Sequence, residues 1–120
     1  MNTDDSIEEI SITLKEAKEQ IAFAEALERL QKNPDFIKVI EEGYLKKEAI
    51  RLVHSKAIYS DVMQDEKTQK MILKDIDAIG SLINYFNMQF KSADMAKQTL
   101  KAGNDEIDLI RSEIDVEDNQ

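Results

Sequence analysis

The sequence predicts an all-α fold, and three observations predict it. Turn-forming residues are too scarce for a strand-rich architecture: 120 residues hold 3 glycines and 1 proline, and these two residue types make most tight turns. Ile, Leu, Lys, Glu, Asp and Ala dominate, a composition that suits helices. Apolar residues also recur at helical spacing over long stretches. The architecture expected is a helical hairpin or bundle, with two long heptad-patterned helices and two short helices between them. One helical domain is expected over residues 1–114, followed by a disordered acidic tail over 115–120.

The first helix starts near Asp5 or Ser6, either of which can cap it, with Glu8 and Glu9 in a first turn where the macrodipole favours acids. Ile7, Ile10, Leu14, Ala17, Ile21 and Ala24 follow in steps of 3, 4, 3, 4 and 3, an a/d heptad seam. Glu28 and Gln31 stand where that seam would continue. A rotated stripe of Phe23, Leu27 and Leu30 takes over, as if the helix passed from one partner to another.

Asn33-Pro34-Asp35 is the clearest punctuation. Pro34 suits a first helical turn and Asn33 the cap before it, so the first helix ends near Lys32. A short helix runs from Pro34 to about Glu42, with Phe36, Ile37, Val39 and Ile40 on its buried side. Gly43 suits the left-handed residue that would stop it. A third helix spans about Leu45 to Ile58, with Leu45, Ala49, Leu52, Val53 and Lys56 or Ala57 on one side, and it stops within Tyr59-Ser60-Asp61.

The last major element runs from about Asp65 to Lys101 without a proline. Its stripe is Ile72, Ile76, Ile79, Ile83, Phe86, Phe90 and Ala93, in steps of 4, 3, 4, 3, 4 and 3, again a coiled-coil period. Met71, Leu82, Met88 and Met95 widen it. Gly80 in mid-helix allows a bend or a close crossing. Ala102-Gly103-Asn104 ends the helix, and Asp105 to about Ile114 adds a last turn or two. Paired on each other, the two seams make an antiparallel hairpin. The widened stripe still leaves apolar surface over, which points to oligomerisation.

The net charge of −9 is unevenly placed. Residues 1–19 carry Asp4, Asp5, Glu8, Glu9, Glu16 and Glu19 against Lys15 and Lys18. Residues 104–120 carry Asp105, Glu106, Asp108, Glu113, Asp115, Glu117 and Asp118 against Arg111. The remainder is close to neutral and has no basic stripe for a phosphate backbone, so direct nucleic-acid binding is not expected. The absence of cysteine excludes a disulfide framework and a thiolate metal site. No apolar run reaches the length of a membrane span, and the acidic N-terminus is unlike a signal peptide. A cytosolic setting is expected.

Catalytic constellations are missing. His54 is the one histidine, which removes His clusters and His-based triads; beside Leu52 and Val53 it reads as a half-buried packing residue. Ser55 lacks a nucleophile elbow, and glycines at 43, 80 and 103 make no phosphate loop. Glu41, Glu42, Glu48, Asp75 and Asp77 invite comparison with all-α nucleotide pyrophosphohydrolases, which hold magnesium on Glu-Glu-x-x-Glu and Glu-x-x-Asp. Leu45 stands at the third acid and Asp75-Ile76-Asp77 has the wrong spacing, so a solvated face is the better account. Tyr44, Tyr59, Tyr85, Phe86 and Phe90 lack the interleaved bases of a stacking platform and read as core. Of the methionines at 63, 71, 88 and 95, Met71 suits the core, Met88 and Met95 an interface. No cofactor or metal is expected. The candidate protein-interface residues are Phe23, Leu27, Leu30, Phe86, Met88, Phe90 and Met95.

The segment Leu27-Glu28-Arg29-Leu30-Gln31-Lys32-Asn33-Pro34-Asp35-Phe36, with Gly43-Tyr44 and Glu48-Ala49-Ile50-Arg51-Leu52-Val53, resembles a group of small all-helical proteins encoded by tailed bacteriophages. Asp75-Ile76-Asp77-Ala78-Ile79-Gly80 extends the likeness, which spans roughly residues 25–90 and leaves out both acidic ends. That group has no assigned activity, so no functional residue is carried over. The resemblance implies a phage origin, with location in the host cytoplasm or the virion. The function expected is a non-enzymatic structural or assembly protein, an accessory virion or scaffold-like component. It would bind copies of itself or a larger phage protein through helix–helix contacts. Two other classes are an acidic inhibitor of a host nucleic-acid enzyme or defence system, as a DNA mimic, and a magnesium-dependent pyrophosphohydrolase. The first needs acids spread along a rigid surface rather than gathered at the ends.

Overall fold

The computed structural model describes residues 3–62 and 64–118. Met1, Asn2, Met63, Asn119 and Gln120, with the readings that fall on them, lie outside the described residues. Every element among the described residues is helical and none is a strand, as the scarcity of turn residues predicts. No described helix is long and apolar enough to cross a membrane.

Among the described residues there are three helical stretches rather than two long helices with two short ones between. The first spans Thr3–Gln31, with Asp4 and Asp5 already in its first turn. It tightens at its end, where the amides of Lys32 and Asn33 donate to the carbonyls of Arg29 and Leu30 at 3.1 and 3.0 Å. The Asn33-Pro34 punctuation holds: Asn33 Oδ1 accepts from the amides of Asp35 and Phe36 at 2.9 and 3.3 Å, with Pro34 in the first turn.

Beyond that cap the middle helix is unbroken over residues 34–62. Pro34–Phe36 leads into a long i→i+5 bonded stretch, Ile37–Glu48, then α-helix over Ala49–Ala57 and a second i→i+5 stretch, Ile58–Val62. Gly43 therefore ends nothing, and no glycine has a positive φ. The cause is visible in the burial pattern. The better-covered residues fall in pairs four apart: Phe36-Ile37, Ile40-Glu41, Tyr44-Leu45, Glu48-Ala49. A four-residue repeat drifts around an α-helix of 3.6 residues per turn, whereas the wider i→i+5 turn keeps such a repeat on one side. Val39 falls off that side and is 62% exposed, contrary to its expected burial. Val53, Lys56 and Ala57 are likewise exposed, while Leu45, Ala49 and Leu52 face in.

The last helix is continuous over Glu66–Asp118, through Gly103 and through residues 115–118 of the segment expected to be disordered. The physical reason is a stripe that does not stop at Ala93. Ala96 and Ile107 are buried, and Leu100, Gly103, Ile110 and Ile114 are half-buried. Its start is set by Gln64, in the left-handed region at φ 49°, and by Asp65, which caps the helix. Asp65 Oδ1 accepts from the Thr68 amide at 3.2 Å, and the Thr68 hydroxyl donates to Asp65 Oδ2 at 3.0 Å.

By its contacts the chain divides into two compact units, Met1–Ala26 with Gln89–Gln120, and Leu27–Met88, where the sequence suggests one helical domain. In the first unit the helices run antiparallel: Leu14 lies against Gly103, and Gln20 Nε2 donates to Gln89 Oε1 at 3.3 Å. Leu14, Ala17, Ala24, Ala93, Ala96 and Ile107 are buried. In the second unit Leu52, Ile72 and Ile79 form the core, with Tyr44, Leu45, Ala49, Tyr59 and Ile76 packed on it. The Phe36 and Phe86 rings stand 6.0 Å apart. The two seams therefore do not pair over their expected lengths. The first-helix seam shares its unit with the last helix from Gln89 onward, while Ile72–Ile79 packs on the middle helix.

Glycine roles shift accordingly. A Cβ at Gly80 would meet nothing within 4 Å, so no close crossing occurs there. A Cβ at Gly103 would overlap Leu14 Cδ2, standing 3.1 Å from Leu14 Cγ and 3.4 Å from Ile10 Cγ2. A side chain at position 103 would have to shift Leu14.

Candidate functional site

The residues expected to form an interface divide into exposed and covered. In the second unit Leu27 is buried at 7% exposure, while Leu30 and Met88 are exposed. Phe86 is half-buried, tilted against Phe36 and, at 6.0 Å, against Tyr85. In the first unit Phe23 and Met95 are exposed and Phe90 is half-buried. Phe23 lines a shallow groove with Glu16, Glu19, Gln20 and Gln89. Leu27, Phe86 and Phe90 thus belong largely to intrachain packing, and Phe23, Leu30, Met88 and Met95 remain available. Met71 is also exposed, at 58%, and not core as its place beside the Ile72 stripe suggests.

Two apolar faces escape the sequence reading. The first is the outer side of the middle helix, where Ile50 and Val53 are 52% and 57% exposed and, with Ala49 and His54, line a shallow apolar depression. His54 is exposed there rather than half-buried in packing. The neighbouring charges are mostly basic: Lys46, Lys47, Arg51 and Lys56 are exposed. The one acid over residues 43–57, Glu48, is tied to Arg51, whose Nε donates to both its carboxylate oxygens at 3.1 and 3.0 Å. That hydrogen bond lowers the Glu48 pKa and raises that of Arg51.

The second face lies on the last helix. Met95, Ala102, Leu109 and Val116 recur at intervals of seven and all are exposed, Leu109 at 61% and Val116 at 56%. Around Leu109 and Val116 stand Asp105, Glu106, Asp108, Glu113 and Glu117, all exposed. The signal was present in the sequence as a second seven-residue row. Gly103, read as a helix stop, cuts that row short in the sequence.

No group of three or more metal-ligating side chains converges among the described residues. Glu41 and Glu48 are half-buried and Glu42, Asp75 and Asp77 exposed. Tyr44 and Tyr59 pack on the Leu52–Ile72–Ile79 core instead of forming a stacking platform. No family model matches the chain, and neither a curated protein nor a solved structure matches it.

Proposed function

We propose that this chain is a non-enzymatic assembly protein that acts by laying exposed helix faces against other protein helices. We place it among the structural or accessory components with which a tailed phage builds its particle. One observation carries the assembly part: exposed apolar side chains aligned in rows along single helices. Scattered surface apolar residues are normal, but Met95, Ala102, Leu109 and Val116 at intervals of seven make a stripe of the kind helices bury against helices. Phe23 and Leu30 share that interval on the first helix, as do Met88 and Met95 on the last. The phage part is supported by the resemblance over residues 25–90.

The test is mass spectrometry of purified particles and assembly intermediates, with a tagged chain used to recover its partners. Capsid, portal or tail proteins are the expected companions. Recovery of a host nucleic-acid enzyme instead would favour the inhibitor class and overturn this reading.

A further inference from the structure

We propose that copies of the chain associate head to tail, the acid-rimmed Leu109–Val116 face of one copy docking on the base-rimmed Ile50–Val53 face of the next. This deepens the assembly reading and rests on it. Among the described residues, nothing covers either face. Ile107 and Ile110 turn the inner side of the last helix toward the first, which leaves Leu109 and Val116 outward; Leu52 takes the inner side of the middle helix, which leaves Ile50 and Val53 outward.

Charge names the occupant. Exposed Lys46, Lys47 and Lys56 flank Ile50 and Val53, and exposed Asp105, Glu106 and Glu113 flank Leu109 and Val116. In a chain of net charge −9, most self-contacts are repulsive. Pairing these two faces brings opposite charges together around apolar centres, which favours this register over others. The contact is heterologous, since each copy uses a different patch from the one it receives. Repeated from copy to copy, it builds a filament or a closed ring, the smallest of which has two members.

The test is sedimentation of the full chain over a range of concentrations, at about 50 mM and about 500 mM salt, where screening differs strongly. Two triple variants accompany it, Lys46→Glu/Lys47→Glu/Lys56→Glu and Asp105→Lys/Glu106→Lys/Glu113→Lys, each checked for helicity by circular dichroism. The wild type is expected to grow in mass with concentration, and less so at high salt. Each variant alone should associate roughly tenfold or more weakly, and an equimolar mixture of the two should recover association, because their faces are again opposite in charge. A wild type that stays monomeric overturns the proposal. So does a closed dimer indifferent to charge reversal, or a mixture that fails to recover. None of these bears on docking to a larger phage protein, which the particle mass spectrometry reads separately.

Discussion

The two units bury different kinds of side chain. In the first, four of the six described residues that are apolar and buried are alanines (Ala17, Ala24, Ala93, Ala96), and the helices close on each other at Gly103. In the second, Leu52, Ile72 and Ile79 form a cluster backed by Tyr44 and Tyr59. Small residues let backbones approach but remove little apolar area from water, whereas a fully buried Leu or Ile side chain contributes about 1.5–3 kcal/mol. The second unit is therefore the stability centre. The first, packed through smaller side chains, is expected to be the less stable, and its outer stripe is exposed.

The largest expected effect tests that division. Leu52 is 2% exposed, the deepest side chain in the described residues. Leu52→Ala should cost about 3 kcal/mol, as transfer and cavity terms combine. Ala17→Gly at the Ala-lined contact should cost about 1 kcal/mol, mostly helix propensity. Urea denaturation of both variants measures the contrast; equal losses would break it. Hydrogen exchange should likewise be slower across residues 44–59 and 72–79 than across residues 3–24.

The glycines of the last helix sharpen the same point at smaller scale. Gly80→Ala meets open space and should stabilise by up to about 1 kcal/mol through helix propensity. Gly103→Ala gains the same propensity but drives Leu14 from its seat, for a net loss of about 1 kcal/mol. Adding Leu14→Ala removes the overlap, so the double variant should lose less than the two single losses combined. Simple additivity would show that the close approach is not held by this pair.

Much of the fold was legible because its signals are local. Asn33 and Pro34 specify a cap whatever surrounds them, and Ile7–Ala24 states its inward face directly. The two helix ends expected at glycines fail for one physical reason. Gly43 and Gly103 are helix breakers by propensity, but about 1 kcal/mol of propensity per glycine is a small term beside tertiary packing. Tyr44, Leu45 and Ala49 hold the middle helix together across Gly43; Ile107, Ile110 and Ile114 carry the last helix past Gly103. The partner of each seam was not legible, because an apolar stripe states that it will be buried and not by what. The same limit applies at the surface, where Val53 reads as core although Leu52 occupies the inner side.

The smallest effect concerns the start of the last helix, which belongs to the stable unit. Hydrogen bonding from the Thr68 amide, then from its hydroxyl, holds the Asp65 carboxyl below its ordinary pKa. A carboxyl with a lowered folded pKa contributes stability that is present above its unfolded pKa and lost as pH falls through the folded one. Glu48, lowered by Arg51, acts in the same direction. Urea midpoints should therefore fall as the solution is acidified from the ordinary carboxylate range downward. Asp65→Asn keeps an acceptor for the Thr68 amide but has nothing to titrate, so its midpoint should fall less than that of the wild type over the same interval. Asp65 is fully exposed, so the difference should be the least of those described. A variant that tracks the wild type throughout would show that the cap draws nothing from its charge.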